Sequence, residues 1–161
     1  GFRLVGMNVY DPENDKATED GYTNFDRTFG QSLKEREDIE QAFAMFFGLQ
    51  HDDDHRQTSQ TITKRKVQLV IRILQRVKEL RQLLQSENSN GTFALYSSSI
   101  LIVYEGDDRL LSPEAFSLKL IDFAHVRHQG GKDRNYIDGL NTFIKCVESL
   151  VLQNHERLPN K

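Results

Sequence analysis

The chain has 161 residues, 37% of them hydrophobic and 28% charged, and carries a formal net charge of −3. Its length fits one domain, but the hydrophobic share is low for a compact one, so polar insertions or missing partner surface are expected. The negative balance argues against a general nucleic-acid or membrane-surface binder while leaving room for a local basic pocket. The single cysteine, Cys146, excludes an internal disulfide and a cysteine metal cluster, and a reducing intracellular compartment is its simplest home.

No signal peptide is visible at the N-terminus, and no apolar run approaches the ~20 residues of a membrane span. A monomeric protein of the cytoplasm or nucleus is expected. Gly1 to Tyr10 reads as a strand already under way, with no initiator Met. The chain is therefore expected to be a piece of a longer protein.

Leu4 to Tyr10 reads as a strand interrupted by Gly6, and the acidic stretch Asp11 to Gly21, with Pro12, as a surface loop. Asn24 to Leu33 reads as a turn leading into a helix. Ser32 and Glu35 have the spacing of a capping box, and Ile39, Ala42, Phe43, Phe46 and Phe47 then recur at helical spacing up to Gly48. His51-Asp52-Asp53-Asp54-His55 is either a set of metal ligands or a solvated acidic loop. The loop is favoured, because no further His or Cys cluster lies nearby.

Ile62 to Leu84 is the longest periodic segment, with Val67, Val70, Ile71, Leu74, Val77 and Leu84 on an apolar stripe. Arg65, Arg72, Arg76 and Arg81 lie largely elsewhere on it. A basic amphipathic helix can bind an acidic partner; more often its long cationic side chains simply cover the core. Ser86 to Gly91 is a loop, His128 to Arg134 a glycine-containing connector, and Asn135 to Gln153 a helix with Leu140, Phe143, Ile144, Val147, Leu150 and Val151 on one face.

Between these helices lie two apolar, β-branched or aromatic runs, Tyr96 to Gly106 and Leu118 to His125, joined by a loop from Asp107 to Pro113. Paired antiparallel, they bring Ser99 and Asp122 to the same edge of the sheet. A hydroxyl and a carboxylate there are hard oxygen ligands of the kind that hold Mg²⁺ beside nucleotide phosphates.

Ser97-Ser98-Ser99-Ile100-Leu101-Ile102-Val103-Tyr104-Glu105-Gly106, then Leu120-Ile121-Asp122-Phe123-Ala124-His125, then Asn135-Tyr136-Ile137-Asp138-Gly139-Leu140 resemble the C-terminal part of the inositol polyphosphate kinase family. Phe2 to Tyr10 and Phe29-Gly30-Gln31-Ser32-Leu33 resemble that family's strand and the turn into its helices. The likeness covers nearly the whole chain in order. It looks closest to the multikinase branch, with the hexakisphosphate kinases second.

The resemblance implies an α+β fold, the C-terminal lobe of a protein-kinase-like two-lobed enzyme, with an antiparallel hairpin bearing the metal site and packed on helices. It implies ATP and Mg²⁺ as cofactors and transfer of the γ-phosphate to an inositol phosphate, with a phosphoinositide headgroup as a further candidate ligand. Asp122 and Ser99 are implied as metal ligands, Ile121 as the apolar floor under the adenine, and His125 and Arg27 as substrate-side groups. Taken as isolated residues, Asp122 reads equally as a turn carboxylate, Ser99 as a polar strand residue, His125 as a backbone-bonded histidine, Ile121 as core and Arg27 as an exposed cation.

The chain also departs from the family pattern. The Pro-x-x-x-Asp-x-Lys-x-Gly motif that supplies the catalytic Asp and a phosphate-gripping Lys does not occur in it, nor does the N-terminal lobe. Gln31 stands where relatives usually carry Arg, and Asp138 where they mostly carry an apolar or aromatic residue. Residues 1–161 are expected to be inactive alone. The alternative is a non-catalytic interaction module that has lost the catalytic half and binds through the helix around Arg72 and Arg76. A protein kinase is disfavoured, since neither Gly-x-Gly-x-x-Gly nor His-Arg-Asp is present.

Overall fold

Two long helices carry the core of the computed structural model, which describes residues 2–50, 60–89, 94–95, 98–123, 126–127 and 134–156. The elements run β1 (Met7–Tyr10), β2 (Tyr22–Phe25), α1 (Arg27–Ser32), α2 (Arg36–Phe46), α3 (Gln60–Ser89), β3 (Ala94–Leu95), β4 (Ser99–Tyr104), β5 (Phe116–Ile121), β6 (Val126–Arg127) and α4 (Arg134–His155). The strands form three two-stranded antiparallel sheets, β1 with β2, β3 with β6, and β4 with β5. Helices and small antiparallel sheets together make the expected α+β arrangement.

α3 and α4 pack along each other. From α3 come Val67, Leu69, Val70, Ile73, Leu74, Val77 and Leu84, and from α4 Leu140, Phe143, Ile144, Cys146, Val147 and Leu150, all buried. Each such side chain contributes about 1.5–3 kcal/mol when removed from water. Phe43 of α2 meets Phe143 edge-on at 5.1 Å between ring centroids, and Phe2 stacks on Phe43 at 5.8 Å. On the α3 stripe the sequence reading needs one correction. Ile71 is 40% exposed, whereas Leu69 and Ile73 are fully buried, so the buried face is centred on Val70, Ile73 and Val77.

The start of α2 also differs from expectation. Ser32 ends α1, and its hydroxyl donates to the Phe29 carbonyl at 2.7 Å. The capping box one turn later is Glu35 with Asp38, whose carboxylate accepts from the Lys34 and Glu35 amides at 2.9 and 3.0 Å. Those two N–H groups hold the Asp38 carboxyl below the usual range. Neither α1 nor β2 is evident from apolar spacing. α1 packs so tightly that a Cβ on Gly30 would lie 1.9 Å from the Leu4 carbonyl oxygen.

The hairpin β4–β5 is clamped at its turn end. The Tyr104 hydroxyl donates to the Phe46 carbonyl, with the ring stacked on Phe47 at 6.0 Å. Burial, and then the nearby Asp108 carboxylate, push the Tyr104 phenol above its ordinary value. Lys66 of α3 reaches Asp108 with Nζ 2.8 Å from Oδ1 and 3.0 Å from Oδ2, and Gly48 leaves room for that ammonium group. A Cβ at Gly48, whose φ is +60°, would meet Nζ at 2.8 Å. Arg65 donates to the Leu111 carbonyl at 3.3 Å, and Arg72 pairs with Glu114 at 2.8 Å.

Candidate functional site

β4 and β5 pair in the register Ser99 with Ile121, Ile100 with Leu120, Leu101 with Lys119, and so on to Tyr104 with Phe116. Since alternate residues face opposite sides of a sheet, each rung belongs to one face. Ile100, Ile102, Tyr104, Phe116, Leu118 and Leu120 pack onto the core. Ser99, Leu101 and Val103, with Ser117, Lys119 and Ile121, lie on the outward face. There Leu101 and Val103 are 43% and 53% exposed.

The expected first strand, Tyr96 to Gly106, is shorter in fact, since β4 runs Ser99–Tyr104. Tyr96 and Ser97 lie outside the described residues. The second strand is displaced toward the turn and ends at Ile121 rather than at His125. The strand ends there because the backbone at Asp122 turns left-handed, with φ +63°. A residue bearing a Cβ seldom adopts that conformation, although Asp tolerates it better than most. The aspartate sits exposed just past the last rung, and the Ser98 hydroxyl donates to its carbonyl oxygen at 3.3 Å.

The structure thus brings Ser99, Ile121 and Asp122 together at one edge, the end of the hairpin opposite its clamped turn. Ser99 and Ile121 are half-buried rung partners. The donor set, one carboxylate and one hydroxyl, suits a hard divalent cation that fills its remaining positions with phosphate oxygens and water. Among the described residues no group of three or more His, Cys, Asp or Glu side chains converges on a metal position. An open cleft of about 460 Å³ lies at the other end of the hairpin, lined by Val103, Tyr104, Glu105, Ala115, Phe116 and Ser117.

Arg27 is the first residue of α1 and is exposed. The helix is capped by Asp26, whose carboxylate accepts from the Thr28 and Phe29 amides at 2.8 and 3.2 Å. No hydrogen bond or ion pair among the described residues joins Arg27 to the hairpin edge. His125 lies outside the described residues, as does the whole of the His51 to His55 loop.

The arginines of α3 carry partners. Besides Arg65 and Arg72, Arg76 pairs with Glu79 at 2.8 Å and Arg81 donates to Asn141 at 3.0 Å. Arg72 and Arg76 thus face carboxylates, while Arg65 and Arg81 bond neutral oxygens, as the long side chains of an ordinary surface helix do. No described helix is long and apolar enough to cross a membrane. Sequence reasoning missed Ser98; the signal available was the hairpin register, which sets residue 98 opposite residue 122 one step beyond Ser99 and Ile121.

Comparison with known proteins gives a consistent set of likenesses. The family model for inositol polyphosphate kinase matches residues 1–148. Inositol hexakisphosphate kinase 3 of Mus musculus is 27% identical over 93% of this chain and 38% of its own length. An uncharacterised inositol polyphosphate kinase of Schizosaccharomyces pombe is 23% identical over 88% of this chain and 16% of its own. The chain thus spans well under half the length of these curated relatives. The crystal structure of inositol phosphate multikinase Ipk2 of S. cerevisiae, in complex with ADP and Mn²⁺, shares the fold. Its TM-score is 0.65 at 24% identity, covering 94% of this chain and 64% of that one.

Proposed function

The chain belongs to the inositol polyphosphate kinase family, and we propose that, within its full-length protein, it forms the C-terminal lobe of an ATP-dependent kinase. That kinase transfers the γ-phosphate of ATP to an inositol phosphate. The observation that carries this reading is the hairpin edge, where Ser99 and Ile121 form the last rung and Asp122 breaks out of the strand beside them.

Phosphoryl transfer is mostly positioning and charge neutralisation. Asp122 and Ser99 are the residues that would hold Mg²⁺, which supplies neutralising charge and orientation to the nucleotide phosphates when bound. Ile121, on the outward face, offers an apolar floor for the adenine. Arg27 suits a substrate phosphate, since a guanidinium engages phosphate oxygens bidentately, and His125 is assigned to the same substrate. Phosphate groups on the substrate bring roughly −1.5 to −2 charges each near neutral pH, by analogy with phosphoserine, so local cations matter more than the net charge of −3.

The family's catalytic Asp and Lys are assigned to the upstream part of the full-length protein, and residues 1–161 alone are assigned no turnover. A phosphoinositide headgroup presents the same phosphorylated ring and is a second candidate acceptor. We place the protein inside the cell, in cytoplasm or nucleus, as a monomer. The test is transfer of label from γ-labelled ATP to a panel of inositol phosphates by the full-length protein. A labelled product of higher phosphate count is expected; absence of transfer to every inositol phosphate and headgroup would overturn the reading.

A further inference from the structure

We propose that Ser98 is a positioning residue, which fixes the left-handed backbone of Asp122 and so presents its carboxylate at the edge of the hairpin. This rests on the reading of Asp122 as a metal-holding residue. Two independent features of the structure meet here. The Ser98 hydroxyl donates to the Asp122 carbonyl at 3.3 Å, and Asp122 alone among the described non-glycine residues has a positive φ, +63°.

The register explains why the two belong together. Rungs alternate between faces, with Ile100 and Leu120 turned to the core and Ser99 and Ile121 turned outward. A further regular rung would set Ser98 against Asp122 and direct both side chains toward the core side. A carboxylate does not belong there. The left-handed turn at Asp122 breaks the alternation, and Asp122 is exposed. Backbone in that region persists only where its surroundings hold it, and the Ser98 hydroxyl is the side chain that grips the carbonyl of this residue.

The adjacent serines thereby divide the work. The Ser99 side chain makes no hydrogen bond to another described residue and stands on the outward face. Ser98 is committed to the protein backbone and acts through Asp122. Side chains that orient a metal ligand commonly change metal affinity 10–100-fold when removed.

The test is titration of the full-length protein with ADP, with and without Mn²⁺, in Ser98→Ala, Ser98→Thr and Asp122→Asn variants. Ser98→Ala is expected to raise the Kd for ADP in the presence of Mn²⁺ about 10-fold, with the Kd for metal-free ADP within about two-fold of wild type. A merely structural role would weaken both together. Ser98→Thr keeps the hydroxyl and is expected to behave as wild type. Should Ser98→Ala not fold, Ser98→Cys, with similar volume and only a weak donor, carries the same expectation.

Wild-type Mn²⁺-dependent binding in Ser98→Ala, alongside its loss in Asp122→Asn, would overturn the role of Ser98 and leave the metal assignment standing. Unchanged Mn²⁺-dependent binding in Asp122→Asn would overturn the metal assignment itself, and the role of Ser98 with it.

Discussion

Ser99 and Ile121 face each other across the last rung of the β4–β5 hairpin, and the bond from the Ser98 hydroxyl to the Asp122 carbonyl lies one residue beyond them. The hairpin is tied to the helices at its turn end. The ties run to α2 and α3 through Tyr104, Lys66 and Arg65, and at the opposite end Asp122 is exposed. Several consequences of that construction can be measured.

Lys66→Ala removes the ammonium group from Asp108 and from the pocket beside Gly48. Asp108 is about one-third exposed (35%), so water replaces part of the lost interaction. A destabilisation of about 1–2 kcal/mol is expected by chemical denaturation, smaller than for a fully buried pair. Tyr104→Phe should cost about 1–2 kcal/mol by the same measurement, because the Phe46 carbonyl loses its phenol donor.

The buried face of α3 can be mapped by two isoleucines two residues apart. Ile73 has no exposed surface, and Ile73→Ala should destabilise by about 2–5 kcal/mol. Ile71 is 40% exposed, and Ile71→Ala should cost less than about 1 kcal/mol. The reverse order in urea unfolding would mean that the helix is rotated from its position in the structure.

Gly30→Ala brings a methyl group to within 1.9 Å of the Leu4 carbonyl oxygen. Backbone cannot yield as a flexible side chain does, so α1 must move away from the segment that precedes β1. A loss of about 3 kcal/mol in unfolding free energy is expected.

Asp107 gives the hairpin turn an acid response. Its carboxylate accepts from the Arg109 side chain and then the Arg109 amide, which hold its pKa down to about 2, against about 3.9 in an unfolded chain. A folded value below the unfolded one favours the folded state above about pH 4, and this contribution is lost as pH falls toward 2. A carboxyl chemical-shift titration should find a midpoint near 2, and Arg109→Ala should return it toward about 3.9.

Much of this architecture can be read from the chain because burial and periodicity agree. Leu140, Phe143, Ile144, Val147 and Leu150 recur at helical spacing, and all are buried on α4. The residues that escaped are those whose role is decided by competition. Ser32 has the spacing of a helix cap, yet α1 ends on it and takes its hydroxyl, so Glu35 and Asp38 cap α2 instead. Ile71 and Ile73 are equally apolar, and only the packing of α4 and the hairpin against α3 decides which is covered. β2 is polar apart from its aromatic ends and is specified by pairing with β1.

At the site, the alternation of β4 and β5 was enough to bring Ser99 beside the Asp122 end. The left-handed φ of Asp122 was not legible, because no local pattern distinguishes an aspartate that ends a strand from one that continues past it. The bond from Ser98 occurs together with that φ and was hidden with it.

The most direct test of the central claim is the turnover of Asp122→Asn in the full-length protein, with its fold checked by circular dichroism and its melting temperature. Asparagine keeps the shape and removes the charge that a divalent cation requires. The account predicts that phosphoryl transfer from ATP to inositol phosphate is abolished while the fold and melting temperature are retained. Wild-type turnover in a folded Asp122→Asn protein would contradict it.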